Sequence, residues 1–195
     1  HAFILFSIME IYLIRHTTPA VAKGICYGQT DLFLDETTFA EELKSIQSKL
    51  PKDIAHFYTS PLRRCKKLAE QLTTNYTESN FLMELNFGDW ENKSWDNLDQ
   101  EKSITWMNDF VNLSTPNGES YLDLHQRSIH FIDIILNTDF QKVGIITHAG
   151  NIRSFISWAL DLPLENSFRI DLSYGAVVCL KINRDKRFNK LISIR

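Results

Sequence analysis

Glu10-Ile11-Tyr12-Leu13-Ile14-Arg15-His16-Thr17-Thr18-Pro19 decides how this chain is read. It opens as a short apolar run rich in β-branched and aromatic residues, the pattern of a buried strand over about 9–15. It then breaks into a cation, an imidazole and two hydroxyls, and Pro19 forbids continuation as helix or central strand. A strand that delivers Arg15 and His16 at its carboxyl end places them where open α/β sheets bind ligands. The other reading is a strand that simply stops, its polar residues in water. The rest of the chain has to decide between the two.

Outward from this stretch the apolar runs alternate with helical periods. Phe39, Leu43, Ile46 and Leu50 recur at helical spacing between Asp35 and Pro51, with acidic residues early and Lys49 late. Ile54–Tyr58 reads as a second strand. Ser60 as N-cap and Pro61 at the first position then open a helix to about Leu72. Phe81–Glu84 reads as a short third strand or its exit. Glu119–Leu136 is amphipathic, with Leu122, Leu124, Ile129, Ile132, Ile135 and Leu136 on or near its apolar face. Val143–Thr147 is a further apolar strand, followed by a helix to Leu160. Phe168–Leu172, Ala176–Ile182 and Phe188–Ile194 read as closing strands, the last two joined at Asn183-Arg184-Asp185.

Continuously apolar strands alternating with helices predict an α/β protein. The expected architecture is a three-layer α/β/α sandwich with a mostly parallel sheet. Residues 94–125, with Trp95 and Trp106 and a break at Pro116-Asn117-Gly118, read as a small helical cap insertion. The 195 residues suit one domain, assigned to 9–195. Residues 1–8 precede Met9 as an N-terminal extension and are set apart from the fold reading.

A net charge of −3 gives no basic field for nucleic acid or an anionic membrane. The basic residues from Lys181 onward fit the wet face of a terminal hairpin. The first thirteen or so residues are largely apolar but too few to span a bilayer, and they lack the pattern of a cleaved signal. Cys26, Cys65 and Cys179 are odd in number and without CxxC spacing, as expected of a reducing cytoplasm.

Four sites now offer functional groups at equivalent places. They are Arg15-His16 after the first strand, Ser60 to Arg64 after the second, Glu84 after the third, and Thr147-His148 after the next. Carboxyl ends of parallel strands share an edge, so these groups can converge. Arg63 and Arg64 in a first helical turn oppose the helix dipole, which makes sense beside an anion. Solvated surface arginines are the plainer alternative. Ala149-Gly150 lets backbone approach an oxyanion closely. His56, His125 and His130 have no such placement. The histidines lack HxH or HExxH spacing and arginines crowd the same edge, which disfavours a metal ion.

Taken together, Arg15-His16-Thr17, Ser60-Pro61-Leu62-x-Arg64, Glu84 with Phe87-Gly88-x-Trp90-Glu91, and Thr147-His148-Ala149-Gly150-x-Ile152-Arg153 resemble the histidine phosphatase (phosphoglycerate mutase-like) superfamily. The resemblance runs from Met9 to about residue 180. Within that superfamily, Arg15–Pro19 followed by Lys23-Gly24-Ile25-Cys26-Tyr27-Gly28-Gln29-Thr30-Asp31 is most similar to α-ribazole phosphatases of cobalamin nucleotide-loop assembly. It implies that His16 becomes a phosphohistidine, that Arg15, Arg64 and His148 hold the phosphoryl oxygens, and that Glu84 donates the proton. Thr17 and Ala149 fall within the phosphate-binding motifs, and Arg63 faces solvent. No metal or cofactor is implied.

Elementary chemistry agrees with those roles. Neutral imidazole is a nucleophile near pH 7, and a covalent intermediate divides one hard displacement into two. Arginines and a protonated His148 can stabilise the transferring group, and a carboxylic acid can protonate an alcohol leaving group. Gln29 and Tyr27 are either substrate contacts or parts of a structural loop. Two positions depart from the family pattern: Asn92, where glycine is usual, and Phe33, where proline is common. Glu119 is expected to serve a helix start.

The expected activity is phosphomonoester hydrolysis on a small molecule, with α-ribazole 5′-phosphate as substrate. A phosphoglycerate mutase-like or broad-specificity sugar or nucleotide phosphatase is the enzymatic alternative. A phosphate-binding module without turnover is the other. Neither nucleic acid nor membrane is an expected partner, and monomer and homodimer are both open.

Overall fold

The computed structural model describes residues 9–195. The run 1–8 lies outside the described residues. The chain order is β1 (Met9–Arg15), α1 (Glu36–Lys49), β2 (His56–Thr59), α2 (Arg63–Leu72), β3 (Tyr76–Glu78), α3 (Gln100–Asn108), α4 (Tyr121–Leu136), β4 (Lys142–Thr147), α5 (Ala149–Ala159), β5 (Val177–Ile182) and β6 (Lys190–Ile194). Among the described residues the six strands form one sheet in the order β3-β2-β4-β1-β5-β6. β3, β2, β4 and β1 run parallel, while β5 and β6 add an antiparallel edge.

The alternation of side chains along β1 divides the interior. Met9, Ile11 and Leu13 pack with Phe131, Ile132 and Ile135 of α4 and Ile152, Phe155 and Ile156 of α5. Ile14 points the other way, to Ile46 of α1 and Cys65, Leu68 and Ala69 of α2. Helices on both faces make the expected three-layer α/β/α sandwich. Each fully buried aliphatic side chain in these layers contributes about 1.5–3 kcal/mol over its exposed state. A third cluster joins Leu85, Trp90, Leu98, Trp106, Val111, Tyr121 and Leu124. Residues 94–125 hold a 3-10 turn at Trp95–Asn97, then α3, and from Tyr121 the start of α4.

Local chemistry explains the helix ends. The Asp35 carboxylate accepts from the Thr37 amide at 2.9 Å and caps α1. Ser120 and Asp123 form a reciprocal capping box, so α4 starts at Tyr121 and Glu119 stands before it. Leu136, expected on the apolar face of α4, is exposed.

Three expectations change or narrow. Ser60 is not a helix cap, because α2 starts at Arg63 behind Leu62 and the Ser60 hydroxyl lies beside His148. Phe81–Glu84 is the exit of the third strand and not the strand itself. β3 lies earlier, and Asn80–Leu82 is a 3-10 turn. Leu164–Arg169 is likewise a 3-10 turn, and Phe168–Leu172 pairs with no strand. Both runs have carbonyls taken by arginines. Arg127 donates to Phe81 and Met83, Arg153 to Ile170, and Arg15 to Leu172. A carbonyl satisfied by a guanidinium needs no ladder partner. The β5–β6 connection also contains a 3-10 turn, Lys186–Phe188, making it longer than Asn183–Asp185.

Candidate active site

Register builds the site. Arg15 on β1 pairs with Thr147 on β4, so the next residues, His16 and His148, emerge side by side. Their ring centroids are 5.1 Å apart. The Thr17 carbonyl lies 2.7 Å from His16 Nδ1. A carbonyl only accepts, so that nitrogen carries the proton and Nε2 presents its lone pair. Arg64 Nε donates toward that Nε2 at 3.3 Å.

Arg64 is fully buried. Its Nη atoms donate to the carbonyls of Thr30 at 2.8 Å and Gly28 at 2.5 Å. A Cβ at Gly28 would strike the Leu85 carbonyl, so only glycine lets this loop reach the guanidinium. Arg15 donates to the Leu172 carbonyl and lies 4.0 Å from the Tyr174 ring centroid, while its buried Nε has no partner among the described residues. Neither arginine meets a carboxylate within ion-pair distance among the described residues. Sheltered positive charge without a counterion is a place for an anion.

His148 is also fully buried. Its Nε2 lies 2.8 Å from Ser60 Oγ, and that hydroxyl already accepts from the Leu62 amide at 3.3 Å. In the tautomer in which the hydroxyl donates to Nε2, the ring proton resides on Nδ1, which has no partner among the described residues. Burial and the Arg64 charge hold the His148 pKa well below its ordinary value, and burial, Arg64 and Arg15 do the same for His16. Burial and the neighbouring arginines thus favour the neutral ring over the protonated His148 expected from sequence. In that tautomer the unpaired Nδ1–H is a donor that needs no added charge.

Two buried neutral imidazoles make stability depend on pH. Below the unfolded-state pKa of about 6.5 the unfolded chain binds protons that the folded chain does not. Folding stability is thus fully present above that pH and declines below it, at about 1.4 kcal/mol per pH unit per histidine. Urea midpoints should fall from pH 6.5 to 5, and His148→Gln should remove about half of the slope. An unchanged slope in that variant would count against a neutral buried His148.

Glu84 lies partly buried beyond these groups. One carboxylate oxygen accepts from the Leu85 amide at 2.8 Å and the other from the Gly150 amide at 3.2 Å, at the start of α5. A Cβ at Gly150 would collide with this carboxylate, so glycine is what lets Glu84 rest there. Arg15, His16, Glu84, Ala149 and Gly150 line one cavity of about 340 Å³. Its remaining wall is largely aromatic: Tyr27, Phe87, Trp95, Tyr121 and Phe168, with Ile25, Leu85 and Arg153.

The other expected residues fall into place around it. Arg64 and His148 are buried against His16 and do not line the cavity. Thr17 is buried, its Oγ1 without a partner among the described residues. Gln29 is no lining residue: its side-chain amide donates to the Glu84 carbonyl at 3.1 Å. Its backbone amide and that of Thr30 are held by Glu91. Tyr27 does line the cavity, and its hydroxyl lies 2.5 Å from that of Tyr174. Arg63 is exposed, its guanidinium 4.0 Å from the centroid of the exposed Phe33 ring. Asn92 takes φ 64°, a left-handed conformation that glycine or asparagine tolerates.

Tyr174 escaped the sequence reading. It lies 5.6 Å from the His16 ring and over Arg15, just before Gly175 with φ 69°. Ser173-Tyr174-Gly175 ahead of an apolar run was the available signal. Arg153 stood in a recognised motif without a role.

The family model for the histidine phosphatase superfamily (branch 1) matches residues 11–194. The chain belongs to that superfamily, and it is a phosphatase. It is 26% identical over 198 residues to "Putative phosphoserine phosphatase 2" of Hydrogenobacter thermophilus, covering 95% of this chain and 98% of that one. The alpha-ribazole phosphatase from Shigella flexneri has a similar structure, with a TM-score of 0.86 at 23% identity over 95% of this chain and 96% of that one. A mutant phosphoserine phosphatase from Entamoeba histolytica, in complex with phosphoserine, gives 0.82 at 17% identity over 95% and 96%. These two structural likenesses carry the fold. Among the described residues no helix is long and apolar enough to cross a membrane.

Proposed function

We propose that the chain hydrolyses α-ribazole 5′-phosphate, or a phosphomonoester of closely similar shape, through a phosphohistidine. The observation that carries this reading is an aromatic cavity wall beside half-buried Arg15 and fully buried Arg64, neither with a carboxylate partner. A flat aromatic base on a ribose 5′-phosphate offers both halves that such a site accepts.

His16 Nε2 attacks phosphorus while Nδ1–H stays on the Thr17 carbonyl. Arg15, Arg64 and His148 Nδ1–H receive the equatorial oxygens, and Thr17 and Ala149 complete that pocket. Glu84, as the acid, gives its proton to the departing alkoxide. The resulting carboxylate then takes a proton from the water that attacks the phosphohistidine, and phosphate leaves. Gln29 serves this scheme by holding Glu84. The reading takes residues 9–195 as one domain whose segment 94–125 caps the cavity, working in a reducing cytoplasm, in keeping with three unpaired, buried cysteines.

Phosphoserine is the second reading. Arg153 in the cavity wall offers a cation for a carboxylate, and the 26% identical relative bears that activity in its name. kcat/KM compared across α-ribazole 5′-phosphate, phosphoserine, sugar phosphates and phosphoglycerates decides. α-Ribazole 5′-phosphate should lead by about tenfold or more. A lead for phosphoserine that is lost in Arg153→Met would overturn the first reading in favour of the second.

A further inference from the structure

The Glu84 segment has no strand to hold it, yet its backbone is tightly fixed. Arg127, projecting from the second turn of α4, donates from Nη1 to the carbonyls of Phe81 at 2.9 Å and Met83 at 2.6 Å. From Nη2 it donates to the Glu84 carbonyl at 2.9 Å. Its Nε and Nη2 also donate to Glu119 at 2.9 and 3.0 Å. A guanidinium has five N–H donors in a rigid fork, and these contacts occupy them all. Glu119 reaches forward as well, accepting the Asn86 amide at 2.9 Å. The ion pair therefore brackets Glu84, gripping carbonyls up to and including residue 84 and an amide just beyond it.

We infer that Arg127, keyed by Glu119, is a positioning residue for proton transfer. It sets where the Glu84 carboxyl stands relative to the leaving oxygen, without itself touching the substrate or lining the cavity. The inference rests on Glu84 being the acid and base of the reaction. Its distinguishing mark is leaving-group dependence. p-Nitrophenolate departs without a proton, whereas an alkoxide does not. A clamp that only held the fold together would affect both alike.

The test compares Arg127→Met, Arg127→Lys and Glu119→Gln with Glu84→Gln, on p-nitrophenyl phosphate and on phenethyl phosphate. Circular dichroism and melting temperature check the fold. In Arg127→Met, kcat/KM, which reports transfer to His16 and not the later hydrolysis that both substrates share, should fall about 100-fold on phenethyl phosphate and less than about fivefold on p-nitrophenyl phosphate. Arg127→Lys should behave almost as badly, since an ammonium cannot serve five acceptors in a plane. Glu119→Gln should show the same selectivity at smaller size, and decides the matter if Arg127→Met does not fold. Equal losses on both substrates, or none, overturn the inference while Glu84→Gln still discriminates. A Glu84→Gln variant that fails to discriminate overturns the reading of Glu84 itself, and the inference with it.

Discussion

His16→Ala should abolish turnover, lowering kcat/KM by at least about 10⁴-fold on every phosphomonoester, good leaving groups included. The effect is general because, in the proposed route, the residue supplies the bond-forming atom. The Thr17 carbonyl fixes the tautomer, and burial with two nearby guanidiniums keeps the ring unprotonated. In the proposed route the ring is therefore available to attack below the pH at which a free imidazole protonates. Any acid limb in the pH profile should follow the substrate phosphate, with its second pKa of about 6. Denaturing the wild-type enzyme during turnover should trap acid-labile phosphate on His16, and the alanine variant should trap none. Full activity in that variant, or labelled phosphate on another residue, would sink the covalent route.

Arg64→Met should be the next most damaging change, lowering kcat/KM about 10³-fold. Its effect on the fold is a contest. Removing the fork leaves the Gly28 and Thr30 carbonyls without their donor, at about 1–3 kcal/mol each. The same change removes a fully buried cation that has no carboxylate partner, which offsets part of that loss. The melting temperature without ligand should therefore drop only modestly. What should vanish is the rise in melting temperature that phosphate or vanadate gives the wild type. Retention of that rise in Arg64→Met would place the oxyanion elsewhere.

The sequence revealed those parts of the fold that bury themselves. β1 and β4 are covered on both faces, so their residues read as unbroken apolar runs, and the histidines that end them stand out. Arg64 could be told from Arg63 by motif spacing, and the structure buries one and exposes the other. What stayed hidden depends on contacts distant in the chain. Phe81–Glu84 and Phe168–Leu172 have the composition of strands. Only Arg127, Arg153 and Arg15, folded back from elsewhere, explain why they are not. Gln29 looked like a substrate contact because its loop is polar and irregular, but its amide is occupied by Glu84. The charge on His148 was also illegible, because it depends on how completely the ring is buried.

The antiparallel strand β5 has a consequence for how this site can diversify. The Arg15 amide donates to Ala176 and the Gly175 amide to the His16 carbonyl, so β5 enters the sheet at the very edge where the parallel strands leave it. Tyr174 arrives at the nucleophile from the incoming side of a strand rather than the outgoing side. The turn that carries it is anchored by backbone, and Tyr174 touches Arg15, His16 and Tyr27 without itself lining the cavity. A change at Tyr174 would thus reach the cavity at second hand, through Arg15, His16 and Tyr27, while the parallel strands stay unaltered.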